Sequence, residues 1–204
     1  MRLGLFGGSF DPVHYGHLLL AECSREALGL DEVWLMPAAI PPHKRGRQLA
    51  PARQRLEMLE LALAGHEQLR SSALEIERGG VSYTVDTLAE IHALHQGALL
   101  FLLMGADSLR DLPTWRDPER ICALSLPAVV RRGGSPEPDF SVLAPLVPAE
   151  RLAIIRTAQV EMPLVELSST DLRERASSGK SLRYRTPRAV ENYIETQGLY
   201  RTQS

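Results

Sequence analysis

The sequence predicts an α/β fold, a parallel sheet with helices on both faces, and three observations predict it. Short apolar runs recur along the 204 residues, among them Leu3–Phe6, Glu32–Met36 and Leu99–Met104, and read as strands. Segments with apolar residues at helical spacing alternate with them. Leu99–Met104, LLFLLM, is apolar throughout, as a strand buried on both faces is. The length, with 44% hydrophobic and 24% charged residues, suits one globular domain over residues 1–204 with a substantial core.

Taken in order, Leu3–Phe6 is a buried strand ended by Gly7 and Gly8. These let the backbone turn tightly and approach a ligand, and Asp11-Pro12 adds a turn. Gly16–Leu28 is a helix with Leu19, Leu20, Cys23 and Ala27 on its apolar face and Gly29 as its stop. Glu32–Met36 is a second strand, after which Pro41-Pro42 opens a basic loop. Pro51–Ala64 is a helix followed by Gly65. Leu69–Glu77 reads as strand, in one piece or two, before the Gly79-Gly80 turn. Ser82–His95 is helical, with Leu88, Ile91 and Leu94 on one face and Thr84 as cap. After Leu99–Met104 come short helices around Ser108 and over Pro118–Ala123. A strand at Pro127–Val130, a helical piece at Phe140–Leu146 and a strand at Leu152–Ile155 follow. Ser169–Ser177 and Pro187–Thr196 are the closing helices. This alternation is that of a Rossmann-like, doubly wound parallel sheet.

A formal net charge of −2 gives no bulk attraction to nucleic acid or an anionic membrane, and neither partner is expected. Charge is concentrated instead. Ala38–Leu56 holds Lys44, Arg45, Arg47, Arg53 and Arg55 and no acidic residue, which reads as a solvated basic loop or as part of an anion site. The Ala38–Ala50 loop, polar, proline-started and full of mutually repelling cations, is expected to move without ligand. Cys23 and Cys122 are far apart and read as buried free thiols. The first apolar run is broken by glycines, Asp11 and His14, so no signal peptide is expected. No run approaches the roughly 20 apolar residues that cross a bilayer. A cytoplasmic protein is expected.

The chemistry gathers in the first seventeen residues, MRLGLFGGSFDPVHYGH. A strand, a glycine pair and a helix start form an anion site, because unpaired helix N–H groups and the positive dipole end face outward. His14 and His17, three apart, share a face at that start. Zinc is the rival reading, but no third ligand stands at zinc spacing, and no protein-held metal is expected. The dipole disfavours imidazolium, leaving neutral rings that can donate to a phosphate as its charge grows. The stretch lacks the Gly-Lys-Ser/Thr ending of a P-loop and the three-glycine dinucleotide fingerprint. Ser168 and Asp171 stand at capping-box spacing, and the cation Arg173 in the first turn opposes the dipole unless an anion binds there.

Gly7-Gly8-Ser9-Phe10-Asp11-Pro12-x-His14-x-Gly16-His17 resembles the opening of the nucleotidyltransferase superfamily, which shares its His-x-Gly-His with class I aminoacyl-tRNA synthetases. The resemblance implies ATP over Gly7, Gly8, Ser9 and Phe10, with His14 and His17 at its phosphates. Ser168, Thr170 and Arg173 match the second signature, Ser-x-Thr-x-x-Arg, which implies phosphate binding through main-chain N–H groups and the arginine. Four further stretches look like the bacterial nicotinate-nucleotide adenylyltransferases: Pro41-Pro42-His43-Lys44; Val81–Leu88; Gly105–Leu109 with Trp115; and Tyr193-Ile194 with Leu199-Tyr200.

That resemblance implies adenylyl transfer from ATP to nicotinate mononucleotide in NAD biosynthesis, giving deamido-NAD and pyrophosphate. His14, His17, Lys44 and Arg173 would spread the transition-state charge. Gly105 and Asp107 would hold the adenosine, and Ser9, Lys44, Thr84 and Trp115 the nicotinate nucleotide, Trp115 by stacking. Mg²⁺ is expected with ATP. Three departures stand out: Ser9 for threonine, Val81 for a proline that would stiffen its loop, and Arg131-Arg132-Gly133 where Arg-Pro-Gly is frequent, which leaves a role for Arg131 open. The alternatives are nicotinamide mononucleotide or another phosphate acceptor such as phosphopantetheine, and a non-catalytic nucleotide sensor. Assembly into a homo-oligomer is left open.

Overall fold

A computed structural model describes residues 1–42 and 49–201. Six parallel strands form one sheet: β1 (Arg2–Gly8), β2 (Glu32–Pro37), β3 (Leu69–Ser71), β4 (Leu99–Gly105), β5 (Leu126–Arg132) and β6 (Gln159–Met162). Their spatial order is β3-β2-β1-β4-β5-β6. The chain builds outward from β1 to β3, then returns to place β4 on the other side of β1. The register sets Leu3 beside Glu32 of β2 and Leu100 of β4. β1 and β4 are therefore the switch point of the strand order, and in such sheets ligands bind in the crevice outside the strands' carboxyl ends there.

The sheet core is what two-sided burial demands. Leu3, Leu5, Val33, Leu35, Leu100, Leu103, Ala128 and Val129 are buried, packed under helices on both faces. The helices are α1 (Tyr15–Leu28), α2 (Ala52–Leu63), α3 (Leu74–Arg78), α4 (Thr84–Leu94), α5 (Ala106–Asp111), α6 (Pro118–Leu124), α7 (Ala149–Thr157), α8 (Ser169–Ser177) and α9 (Arg188–Gln197). Gly29 ends α1 in the left-handed conformation, φ 56°, as a C-terminal glycine does.

Several expectations need correction. β1 runs through Gly7 and Gly8, which stay paired with Met36 and Pro37; the turn begins at Ser9. Only Leu69–Ser71 of the Leu69–Glu77 stretch is strand, because Leu74–Arg78, rich in good helix formers, coils into α3. Leu152–Ile155 lies inside α7. A four-residue apolar run does not separate strand from helix, and the strand signal was in Gln159–Met162, whose residues alternate exposed and buried. Thr84 is the first residue of α4 and its side chain caps nothing; Tyr83 holds the cap position. The Phe140–Leu146 piece is a 3₁₀ turn over Phe140–Leu143. Cys122 is buried, Cys23 half-buried, and both are free.

Arg55 also departs from both readings of the basic stretch, a solvated loop or part of an anion site. Its side chain is buried, 1% exposed. Its guanidinium donates to four carbonyls: Ser9 (2.8 Å), Ala38 (2.6 Å), Ala39 (3.2 Å) and Ala50 (3.0 Å). It ties the end of β1 to both ends of the segment between β2 and α2. Replacing Arg55 with Leu leaves those acceptors without a donor and is expected to cost roughly 3–5 kcal/mol, about 10 °C in Tm for a chain of this size. Thermal denaturation followed by circular dichroism checks this, and an unchanged midpoint would mean that the clamp carries no stability.

Candidate active site

The loop between β1 and α1 holds little regular backbone pairing, and distant side chains fix it instead. The Ser9 carbonyl takes Arg55, that of Asp11 takes Arg173 Nη1 (2.7 Å), that of Pro12 takes the Ser169 hydroxyl (2.9 Å), and that of Val13 takes the Thr186 hydroxyl (2.7 Å). The Tyr15 N–H donates to the Arg185 carbonyl at 3.1 Å. Phe10 is held in the left-handed region at φ 45° with its ring buried, and the Asp11-Pro12 bond is cis. Asp11, itself fully buried, accepts from the Tyr200 hydroxyl at 2.7 Å and the Ala50 N–H at 3.2 Å. Burial, followed by the neighbouring Asp11 charge, raises the Tyr200 pKa and keeps that hydroxyl a donor.

This loop delivers His14 to the cap position of α1 and His17 to its third residue. The two imidazoles stack, ring centres 3.7 Å apart and planes 20° from parallel. The His14 backbone N–H donates to His17 Nδ1 at 3.3 Å, which leaves the proton of a neutral His17 on Nε2 as a donor. His14 is 5% exposed, and burial, with the charge of Arg132 second, holds its pKa down to about 4. Burial, rather than the helix dipole, is the main reason that His14 stays neutral. Stacked rings also send their nitrogen lone pairs along parallel planes rather than toward one ion. Among the described residues no three His, Cys, Asp or Glu side chains gather as a metal site.

Across the cleft, Ser168 caps α8 by accepting the Asp171 N–H at 3.1 Å, while the Asp171 carboxylate pairs with Arg185 at 3.4 Å. Ser168, Ser169 and Thr170 line the cleft, and the first-turn N–H groups of α8 other than that of Asp171 have no partner within the helix. Arg173 donates to the Asp11 carbonyl and to Thr170 Oγ1 (3.1 Å), with Asp11 Oδ2 at 3.7 Å. A structural tether thus explains part of its place in the first turns, alongside any anion.

The structure brings Ser9, His14, His17, Ser168, Thr170 and Arg173 around one cleft of about 290 Å³. Gly105 and Asp107 line a neighbouring cavity of about 480 Å³. Gly7, Gly8, Phe10, Thr84 and Trp115 line neither cavity. A Cβ on Gly7 would meet nothing within 4 Å, whereas one on Gly8 would press the Phe10 ring at 3.0 Å. Gly8 makes room for Phe10, which stands edge-on to His17, ring centres 5.0 Å apart. Thr84 opens α4 and Trp115 is half-buried against the core. Arg116 connects them, its guanidinium over the Tyr83 ring at 4.7 Å and 3.3 Å from Asp86. Val81, which stands where the resembled family has proline, pairs with Ile40 in a short parallel bridge. Lys44, and with it the expected motion of the basic loop, lies outside the described residues.

A cytidylyltransferase-like family model matches residues 5–175. The chain belongs to that family. It is 47% identical over 202 residues to the probable nicotinate-nucleotide adenylyltransferase of Roseiflexus sp. (strain RS-1), covering 98% of each chain. To the probable nicotinate-nucleotide adenylyltransferase of Thermus thermophilus it is 46% identical over 201 residues, covering 98% of this chain and all of the relative. The fold is similar to that of Plasmodium falciparum nicotinic acid mononucleotide adenylyltransferase complexed with NaAD. The TM-score is 0.73 at 16% identity, over 98% of this chain and 97% of that one.

Within this cytidylyltransferase-like chain, sequence reasoning missed Arg55, Thr186 and Arg132 and gave Gly16 no role of its own. Gly16 alone carried a readable signal, as the residue between the histidines. A Cβ there would meet His14 Nδ1 at 3.0 Å and Cε1 at 3.1 Å. Gly16→Ala should leave stability within about 1 kcal/mol, since alanine favours the helix as the ring is displaced. Turnover should fall on the order of 10²-fold from the misplaced imidazole. Equal turnover in the two proteins would refute the close fit.

His14 also predicts a pH dependence. Its folded pKa of about 4 lies below the usual histidine value, so between the two the unfolded chain binds more protons. Stability contributed by neutral His14 is therefore complete at pH 7 and falls as pH drops from about 6.5 toward 4, by roughly 3 kcal/mol in all. Urea midpoints across this range should slope more steeply for wild type than for His14→Asn. Parallel slopes would show that His14 is not buried neutral.

Proposed function

We propose that this chain transfers the adenylyl group of ATP to nicotinate mononucleotide, releasing pyrophosphate and forming nicotinate adenine dinucleotide for NAD biosynthesis. The observation that carries the reading is the meeting of a stacked histidine pair with the N-terminus of α8 in one cleft at the sheet's switch point. Full-length identity of 45–47% to proteins bearing this activity in their names supports it. An oxygen of the acceptor's 5′-phosphate bonds to the α-phosphorus as the bond to the bridging β-phosphate oxygen breaks, and the electron pair leaves with pyrophosphate. The attacking oxygen is already anionic, so no protein nucleophile or general base is required. Position and charge do the rest.

In this reading the α8 N–H groups, Ser168, Thr170 and Arg173 hold the β- and γ-phosphates, and His14 and His17 donate to the phosphate undergoing transfer. Gly7, Gly8, Ser9 and Phe10 form the floor beneath ATP. Gly105 and Asp107 hold the adenosine. Thr84, through its first-turn N–H, and the Trp115 ring take the nicotinate, Ser9 and Lys44 bind the nicotinate nucleotide, and Lys44 also reaches the β- and γ-phosphates. Mg²⁺ carried on ATP would neutralise phosphate charge. The cleft residues fit that role, being donors and cations rather than a carboxylate cage.

Pyrophosphate release measured with nicotinate mononucleotide, nicotinamide mononucleotide and phosphopantetheine as acceptors tests the substrate. The acid should be preferred, and preference for either other acceptor would overturn the assignment. His17→Ala should lower kcat by about 10²–10³-fold, the usual loss of one transition-state donor. Undiminished turnover in that variant would instead favour a nucleotide sensor.

A further inference from the structure

Arg132, the last residue of β5, occupies a position that neither signature explains. The histidine cleft and the Gly105–Asp107 cavity share one lining residue, and it is Arg132. Its neighbours are committed elsewhere. Arg131 pairs with Glu161 of β6 at 3.4 Å, Arg110 with Asp107, and Arg173 with the Asp11 carbonyl and Thr170. Arg132 is exposed and has no ion pair among the described residues, yet its charge reaches buried His14.

The covalent order of a nucleoside triphosphate gives this seam a meaning. With adenosine in the larger cavity and the β- and γ-phosphates at α8, the α-phosphate must cross the boundary between them. We propose that Arg132 binds the α-phosphate of ATP and holds its developing charge as the acceptor oxygen bonds to phosphorus and pyrophosphate departs. The inference rests on the adenylyl-transfer reading and adds a catalytic residue to it. A guanidinium suits the task, because its fork can meet two non-bridging oxygens at once, whereas lysine offers a point charge. Arg132 also allows His14 to stay neutral while the site keeps a fixed cation beside it.

The test compares wild type, Arg132→Ala, Arg132→Lys and Arg70→Ala. The last removes one positive charge from β3, where Arg70 pairs with Glu32. Circular dichroism first verifies folding of each protein. Arg132→Ala should lower kcat by about 10²-fold and weaken ATP, measured by calorimetry without acceptor, by no more than about tenfold. Arg132→Lys should recover part of kcat, and Arg70→Ala should match wild type. A kcat for Arg132→Ala within twofold of wild type would overturn the proposal, as would an equal loss in Arg70→Ala. Wild-type pyrophosphate release with nicotinate mononucleotide tests the underlying reading separately. The His14 imidazole titration, followed by NMR, tests the proximity without any turnover: its pKa should rise when Arg132 is removed, and an unmoved value would count against the placement.

Discussion

Four backbone carbonyls between Ser9 and Val13, each taken by a side chain from elsewhere in the sequence, are the constraint on which the site depends. The segment between β1 and α1 lies outside the sheet, so these acceptors have no ladder partners. Buried and unpaired, each would cost about 1–3 kcal/mol. Arg55 answers one from α2, Ser169 and Arg173 two from α8, and Thr186 one from the segment before α9. Tyr200 secures Asp11 from beyond α9. The sequence separations reach 189 residues, so the turn that aims His14 and His17 can take its final shape only when the C-terminal helices have docked.

The same packing sets the charge of the site. His14 lies under the loop and loses its hydration, and a second protonated ring at 3.7 Å would add repulsion to that loss. His14 is thus held without a standing positive charge. Fixed cations are left to arginines at the rim, which are charged at any working pH. Arg173 has Asp11 Oδ2 at 3.7 Å, whereas Arg132 has no ion pair among the described residues, so part of the rim's positive charge is left for anions. Asp11, fully buried, accepts from the Tyr200 hydroxyl and the Ala50 N–H and stands beside Arg173.

Much of this was legible in the sequence where the signal was local. β1, β2, β4 and β5 announce themselves as short apolar runs, because a parallel sheet buries both faces. The two signatures place His14, His17, Ser168, Thr170 and Arg173, and the structure does bring them to one cleft. What stayed hidden was non-local. Arg55 looks like any basic residue at a helix start, and nothing in its neighbourhood reveals that its partners are carbonyls 5 to 46 residues away. Thr186 sits in a segment without a motif, and its acceptor lies 173 residues upstream. The two misread strands failed for a different reason. Leu152–Ile155 and Leu74–Arg78 are runs too short to carry a period, and in each the helical propensity of the neighbours decided the outcome.

A reaction with an anionic acceptor and a good leaving group asks a protein for little covalent chemistry and much positional accuracy. The fold meets that demand through backbone rather than through reactive side chains. Gly8 makes room for the Phe10 ring that stands against His17, Gly16 for the His14 ring, and α8 offers a row of N–H groups whose direction is set by the helix itself. Side chains such as Arg55, Thr186 and Tyr200 then act one step removed, by fixing the carbonyls that shape the turn. A substitution far from any phosphate can therefore act on turnover as strongly as one within the cleft. Its effect travels through a rigid turn rather than a flexible arm, since each of these hydrogen bonds ends on main chain or on a buried carboxylate held by it.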